Sequence, residues 1–225
     1  IPITTANLVV ACRDRIGEDT AASSMVSDVQ ILRFLNEAQR KLAWEGDVLL
    51  SSWTASTVAS QEQYSVPSDW TKVRAVFLYR SAGSRYRLRN IRMEQRDPNK
   101  TVGTPTSYYV WGINVSGNNA PYIGLNPIPE AAGTNDIEMY GRQIPADMVS
   151  GGQAPEVLYQ WQDALSTYGA MRCYERRGRE WRPQTLDARS EWEDWTSKAR
   201  AFTRPITGDS PTQIDDTEGY RTTIA

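Results

Sequence analysis

Apolar positions follow a helical spacing at both ends of the chain and a two-residue alternation in the middle. Near the start, Leu8, Val9, Cys12 and Ile16 share one side of a segment over 6–16. Thr4 or Thr5 can cap that segment and Gly17 can close it. After a polar linker over 18–24, Ser27 and Gln30 stand at capping-box spacing. They open a predicted helix to Glu45, with Ile31, Leu35, Ala38 and Leu42 on one face and Gly46 as its stop. Toward the other end, Val157, Trp161, Ala164 and Tyr168 recur at helical spacing, widened by Leu158 and Leu165. Pro155 fits a first helical position, Glu156 the positive first turn, and Arg172, Arg176 and Arg177 the negative last turn before Gly178. This predicts a helix over 155–177 at the centre of a bundle. A turn over 179–182 leads to Pro183 and a last helix, whose seam is Ala188, Trp192, Trp195, Ala199 and Phe202 and whose end is set at Pro205.

Between 49 and 144 the period changes. Trp53, Ala55, Thr57 and Ala59 alternate with polar neighbours, and 73–79 is a short run rich in β-formers. Over 85–91, Tyr86 and Leu88 alternate with Arg85, Arg87 and Arg89. Runs over 108–111, 122–125 and 136–144 complete the set, separated by Pro, Gly and Asn clusters. Residues 112–121, with Gly117, Asn118 and Asn119, read as a long hairpin tip. The predicted fold class is α+β. Two N-terminal and two C-terminal helices form a discontinuous bundle domain over 1–47 and 153–204. An antiparallel sheet or small sandwich is inserted over 48–152, and an extended tail follows over 205–225. That tail is too polar to build a core alone and is expected to be held by another chain.

Composition narrows the chemistry. The 225 residues are 40% apolar and 23% charged, with net charge −2, so no whole-molecule field draws the chain to nucleic acid or an anionic membrane. No apolar run is long enough to span a bilayer, and residues 1–12 do not resemble a signal peptide. Cys12 and Cys173 are far apart and read as buried, reduced thiols of a protein made in a cytosol. There is no histidine, which removes Ser-His-Asp and Cys-His catalysis and His-ligated zinc. The expectation is no enzymatic activity, no cofactor and no metal site. Glu191, Glu193 and Asp194 crowd the last helix, but with no partner cluster they read as a solvated or salt-bridged face. All basic residues except Lys41, Lys72, Lys100 and Lys198 are arginine, which suits directional pairing at protein interfaces, as do the eight Trp and eleven Tyr. Segment 80–96 carries six arginines against the single carboxylate Glu94. Arg85, Arg87 and Arg89 there are candidates for a subunit or DNA contact, or form a solvated strand face. An RNA-binding sheet would want aromatics on that same face, whereas Tyr86 and Leu88 point away from it.

Several segments together resemble a known family. Ile31 to Gln39 reads ILRFLNEAQ, Gln63 to Trp70 reads QYSVPSDW, and Gly103 to Tyr109 reads GTPTSYY. Asn126-Pro127-Ile128-Pro129 follows a strand, a strand runs over 137–140, and Asp163-Ala164-Leu165 with Tyr168-Gly169-Ala170 close the order. Over about 29–200 this resembles the head–tail adaptor (connector, tail tubular A-like) proteins of tailed bacteriophages. The resemblance implies a virion structural protein of the neck between capsid and tail, made in the host cytoplasm. It implies a ring, usually of twelve copies, docked beneath the portal protein, with genomic DNA passing through its centre. The implied partners are the portal, a tail or nozzle protein and neighbouring copies, with no membrane. Since tails of such proteins reach the portal, Ile206, Ile214, Asp215, Asp216, Tyr220 and Ile224 become candidate portal contacts. The hairpin tip, with Ile113, Asn114, Val115, Asn118 and Asn119, becomes the candidate tail-side contact. Two other readings stay open: a nucleic-acid-binding accessory protein using segment 80–96, and a carbohydrate-binding or hydrolytic β module using exposed Trp and scattered carboxylates.

Overall fold

The computed structural model describes residues 3–18, 25–79, 84–112, 121–149 and 151–207, with side chains to Thr203 in the last segment. It is α+β, with four α-helices and largely antiparallel sheets. The chain divides into two compact units, Ile1–Leu49 with Pro145–Ala225, and Leu50–Ile144.

In the helical unit, α1 (Thr5–Ile16) is capped by Thr4, whose hydroxyl accepts from the Asn7 N–H, and ends at Gly17 in the left-handed region. Helix α2 (Asp28–Gly46) opens with the Ser27/Gln30 capping box. It does not stop at Gly46. That residue is helical, and Asp47 takes the left-handed position instead. Gly46 serves packing, because a Cβ there would stand 2.8 Å from that of Ala199.

The predicted helix start at Pro155 is not observed. Residues 153–158 are extended or bent, a single 3-10 turn spans Tyr159–Trp161, and α3 covers Gln162–Arg177. Two buried amides on α2 account for the difference. The Gln39 side chain donates to the Ala146 carbonyl and accepts from the Glu156 N–H, while Glu156 accepts from the Ala146 N–H. Asn36 donates to the Met148 carbonyl and accepts from the Met148 N–H. The backbone that a helix would have satisfied internally is satisfied by α2. Val157 and Trp161 are buried all the same, joining Ala164, Leu165 and Tyr168.

Helix α3 packs on α1, α2 and α4 (Arg182–Thr207) and is buried almost all round. Gly169 admits the Cys12 sulfur, which would lie 2.5 Å from an added Cβ. Helix α4 runs past Pro205 to Thr207. A proline forfeits the bond from its own nitrogen and crowds the carbonyl four residues back, a cost that is smaller this close to a helix end, where few further turns depend on it. On its seam, Trp195 and Phe202 meet Trp161 edge-on, at 6.3 and 5.9 Å between ring centres. Near α1, Arg13 and Arg177 are buried and share Glu18, with Asp28 also on Arg13.

The β unit has its own core. One four-stranded sheet has the order β1 (Leu50–Ala55), β10 (Ile137–Gln143), β3 (Trp70–Tyr79), β4 (Arg85–Arg87), all antiparallel. A second has the order β2 (Gln63–Ser65), β8 (Tyr122–Asn126), β7 (Ser107–Trp111), β5 (Arg89–Asn90), with β5 parallel to β7. A parallel pair joins β6 (Val102–Gly103) to β9 (Ile128–Pro129), just past a cis Asn126–Pro127 bond. Val76, Leu78, Ile137 and Met139 of the first sheet share an apolar cluster with Tyr64, Tyr108, Ile123 and Leu125 of the second. Two glycines admit aromatic rings: an added Cβ would lie 2.0 Å from the Trp70 ring at Gly141 and 2.0 Å from the Tyr109 ring at Gly124.

Candidate interaction surfaces

The arginine-rich segment is not one strand. Arg85–Arg87 pairs with β3, then Leu88 turns inward, 1% exposed, and donates its N–H to the Val76 carbonyl. Arg89 donates its N–H to Thr106 and belongs to the other sheet. Leu88 thus carries the chain from one sheet to the other, and Arg89 is separated from the other two.

Arg85 and Arg87 have aromatic company that alternation along their own strand does not reveal. Register places Tyr79 opposite Arg85, Phe77 opposite both Arg87 and Glu138, and Tyr140 opposite Ala75. Residues opposite one another share a sheet face, so the arginines stand among rings and a carboxylate. The Arg85 guanidinium lies 3.9 Å from the Phe77 ring centre and 3.2 Å from Glu138 Oε2. Tyr79 and Tyr140 hydroxyls donate to the two Glu138 oxygens at 2.8 and 2.6 Å. The Tyr140 bond, with help from Tyr79 and Arg85 and against partial burial, holds the Glu138 carboxyl below its usual range. This arrangement fixes a guanidinium over an aromatic floor, the kind of rigid Arg–aromatic patch enriched at protein interfaces.

A second carboxylate, Glu62, accepts from the buried Tyr109 hydroxyl at 2.5 Å and pairs with Lys100 at 3.0 Å and Arg96 at 3.5 Å. Burial works against its charge, but these partners outweigh burial and its pKa is lowered.

On the helical unit, Glu191 binds Arg15 at 3.1 Å and the Thr167 hydroxyl at 2.9 Å, and Asp194 binds Lys198 at 2.6 Å. Two of the three clustered carboxylates of α4 are therefore in ion pairs. Cys12 and Cys173 are buried free thiols. Burial raises both pKa values, that of Cys173 to about 11, and the Cys12 S–H points to the Ser166 carbonyl. Among the described residues, no group of three or more His, Cys, Asp or Glu is placed to hold a metal, and no helix is long and apolar enough to cross a membrane.

Of the other candidate contacts, Ile113, Asn114, Val115, Asn118 and Asn119 lie outside the described residues, as do Ile214, Asp215, Asp216, Tyr220 and Ile224. Ile206 is in the last turn of α4, with its side chain outside the description. β7 and β8 pair antiparallel out to Trp111 opposite Tyr122.

The protein-family model described as SU10 adaptor protein matches residues 3–214, taking in both units, and the chain belongs to that family. It is a structural adaptor of a bacteriophage. This bears out the resemblance to phage head–tail adaptors carried by the motifs. No curated protein matches the chain.

Proposed function

We propose that this adaptor forms a ring in the neck of the virion, docks beneath the portal and joins it to the tail, with the DNA passing through the ring. The observation that carries this reading is the family match over 3–214, which spans helical and β units alike. Residues 206–225 hold the adaptor to the portal or to a neighbouring copy, and the tip over 112–121 meets the tail. The Arg85–Phe77–Glu138 patch is a contact for a neighbouring subunit or the tail: its guanidinium is already ordered, so binding there costs little side-chain entropy. The work is binding, without catalysis. The test is co-purification with portal rings. Full-length protein binds purified portal at a fixed copy number matching the portal's symmetry. Saturation at a ratio unrelated to that symmetry, or no binding, contradicts the reading.

One observation favours a second reading. Phe77, Tyr79 and Tyr140 bring aromatic rings onto the face of Arg85 and Arg87, as a nucleic-acid-binding sheet would. Affinity for short oligonucleotides that falls steeply with salt, and is lost in Arg85→Ala/Arg87→Ala, would favour this reading over a protein contact.

A further inference from the structure

A cleft of about 490 Å³ opens between α2 and α3 in the helical unit, lined by Arg33, Phe34, Arg40, Asp147, Arg172 and Arg176 among others. Its cations are unevenly satisfied. Arg40 is paired with Asp147, and Arg172 with Glu175 and Glu37. Among the described residues no carboxylate pairs with Arg33 or Arg176, and both are exposed. Phe34 forms an apolar floor with the guanidiniums of Arg172 and Arg176 at 5.7 and 5.8 Å from its ring centre. The cleft therefore offers one open guanidinium, that of Arg176, beside an aromatic ring, and a second open one, that of Arg33, elsewhere in its lining. A ligand matching it carries two carboxylates beside an apolar group. Glu37 and Asp147 in the lining disfavour a continuous phosphate backbone.

The chain contains such a ligand. Residues 209–218 hold Asp209, Asp215, Asp216 and Glu218 with no basic residue, and Ile214 adjoins the Asp pair. Their own copy's cleft is poorly placed to receive them. Thr203 donates to the Gly46 carbonyl and Arg200 to that of Glu45, so α4 delivers the chain to the C-terminal end of α2. Arg33 lies thirteen residues back along α2, about 20 Å at the helical rise. From Thr207, itself a turn past Thr203, Asp215 can travel at most about 29 Å fully extended. Its own Ile214–Asp216 would thus have to run back almost straight. A second copy has no such restriction.

We propose that the α2/α3 cleft receives the acidic segment 209–218 of a second copy, with Ile214 on Phe34 and Asp215 and Asp216 on Arg33 and Arg176. Each copy then gives one segment and accepts one, a head-to-tail contact of the kind that closes rings. The inference rests on the ring reading above and specifies one of its joints.

The experiment titrates a fluorescent synthetic peptide of residues 207–221 into full-length protein, at concentrations where the chain is monomeric, and reads anisotropy. Wild type and Asp215→Lys/Asp216→Lys bind the peptide equally. Arg33→Glu/Arg176→Glu, both at exposed positions and checked for unchanged circular dichroism, binds at least about tenfold more weakly. A peptide carrying the two Asp→Lys changes reverses the preference, binding the Arg→Glu protein better. Equal binding by wild type and Arg→Glu protein overturns the proposal. So does wild type binding about tenfold more weakly than Asp215→Lys/Asp216→Lys, since its own segment would then fill the cleft. A short DNA duplex that binds where the peptide does not, and is lost in the Arg→Glu protein, overturns it in favour of a nucleic-acid site. The two readings fail separately. A chain absent from the neck of virions removes the ring reading and leaves the peptide result standing, whereas a chain in the neck with no peptide binding removes only this joint.

Discussion

Single residues settle where rings and charges sit. Gly124 and Gly141 fall inside the predicted strand runs 122–125 and 136–144, and each is the place where a neighbouring aromatic ring closes on the backbone. Gly141→Ala and Gly124→Ala each lower stability by about 1–3 kcal/mol through overpacking in urea unfolding, while Gly152→Ala, with open space around it, changes little. Glu62 gives a pH test. Its folded pKa lies below its unfolded one, so its contribution is complete above the unfolded carboxylate value of about 4.3 and is lost as pH falls through the folded value. Glu62→Gln therefore costs about 1 kcal/mol at neutral pH, and the gap to wild type closes on acidification below about pH 4. A gap that stayed constant through that range would contradict the assignment. The buried state of Cys12 and Cys173 was legible from their spacing and rarity. The aromatic company of Arg85 was not, because strand register, set by partners far away in sequence, decides which faces coincide.

At the scale of elements, periodicity located all four helices, and local capping chemistry fixed the starts of α1 and α2. It failed at Pro155, where good first-turn signals lost to Asn36 and Gln39, two buried amides inside an apolar stripe. Such residues carry no periodic signal, since their value lies in carbonyls and N–H groups over a hundred positions away. Asn36→Leu strands the Met148 backbone groups and costs about 1–3 kcal/mol, measured by thermal or urea unfolding. Hydrogen exchange at the Met148 amide speeds up by more than the global change. Glu18→Gln leaves Arg13 and Arg177 short of a buried counter-charge and costs about 3–5 kcal/mol. The Arg85–Ile91 alternation read as one strand and is two, because Leu88 fills a core position between sheets.

For the whole molecule, each family-like motif is weak alone, and the structure shows what several of them build. Gly103 and Pro127 meet where β6 pairs with β9, and the Tyr64 hydroxyl gathers the backbone of Val58 and Gln61. These are joints of the β unit. The contact surfaces were less legible, since docking depends on partners that the chain does not encode. Deleting residues 208–225 leaves both units folded by circular dichroism and sharply reduces incorporation into particles. Shortening the tip over 112–121 leaves portal binding intact and blocks tail attachment. The most direct test of the adaptor reading is cryo-electron microscopy of the neck of purified virions. The account predicts a closed ring of this chain in contact with the portal on one side and the tail on the other, around the DNA channel. A neck fully built from other chains, with this one absent or scattered elsewhere in the particle, would contradict it.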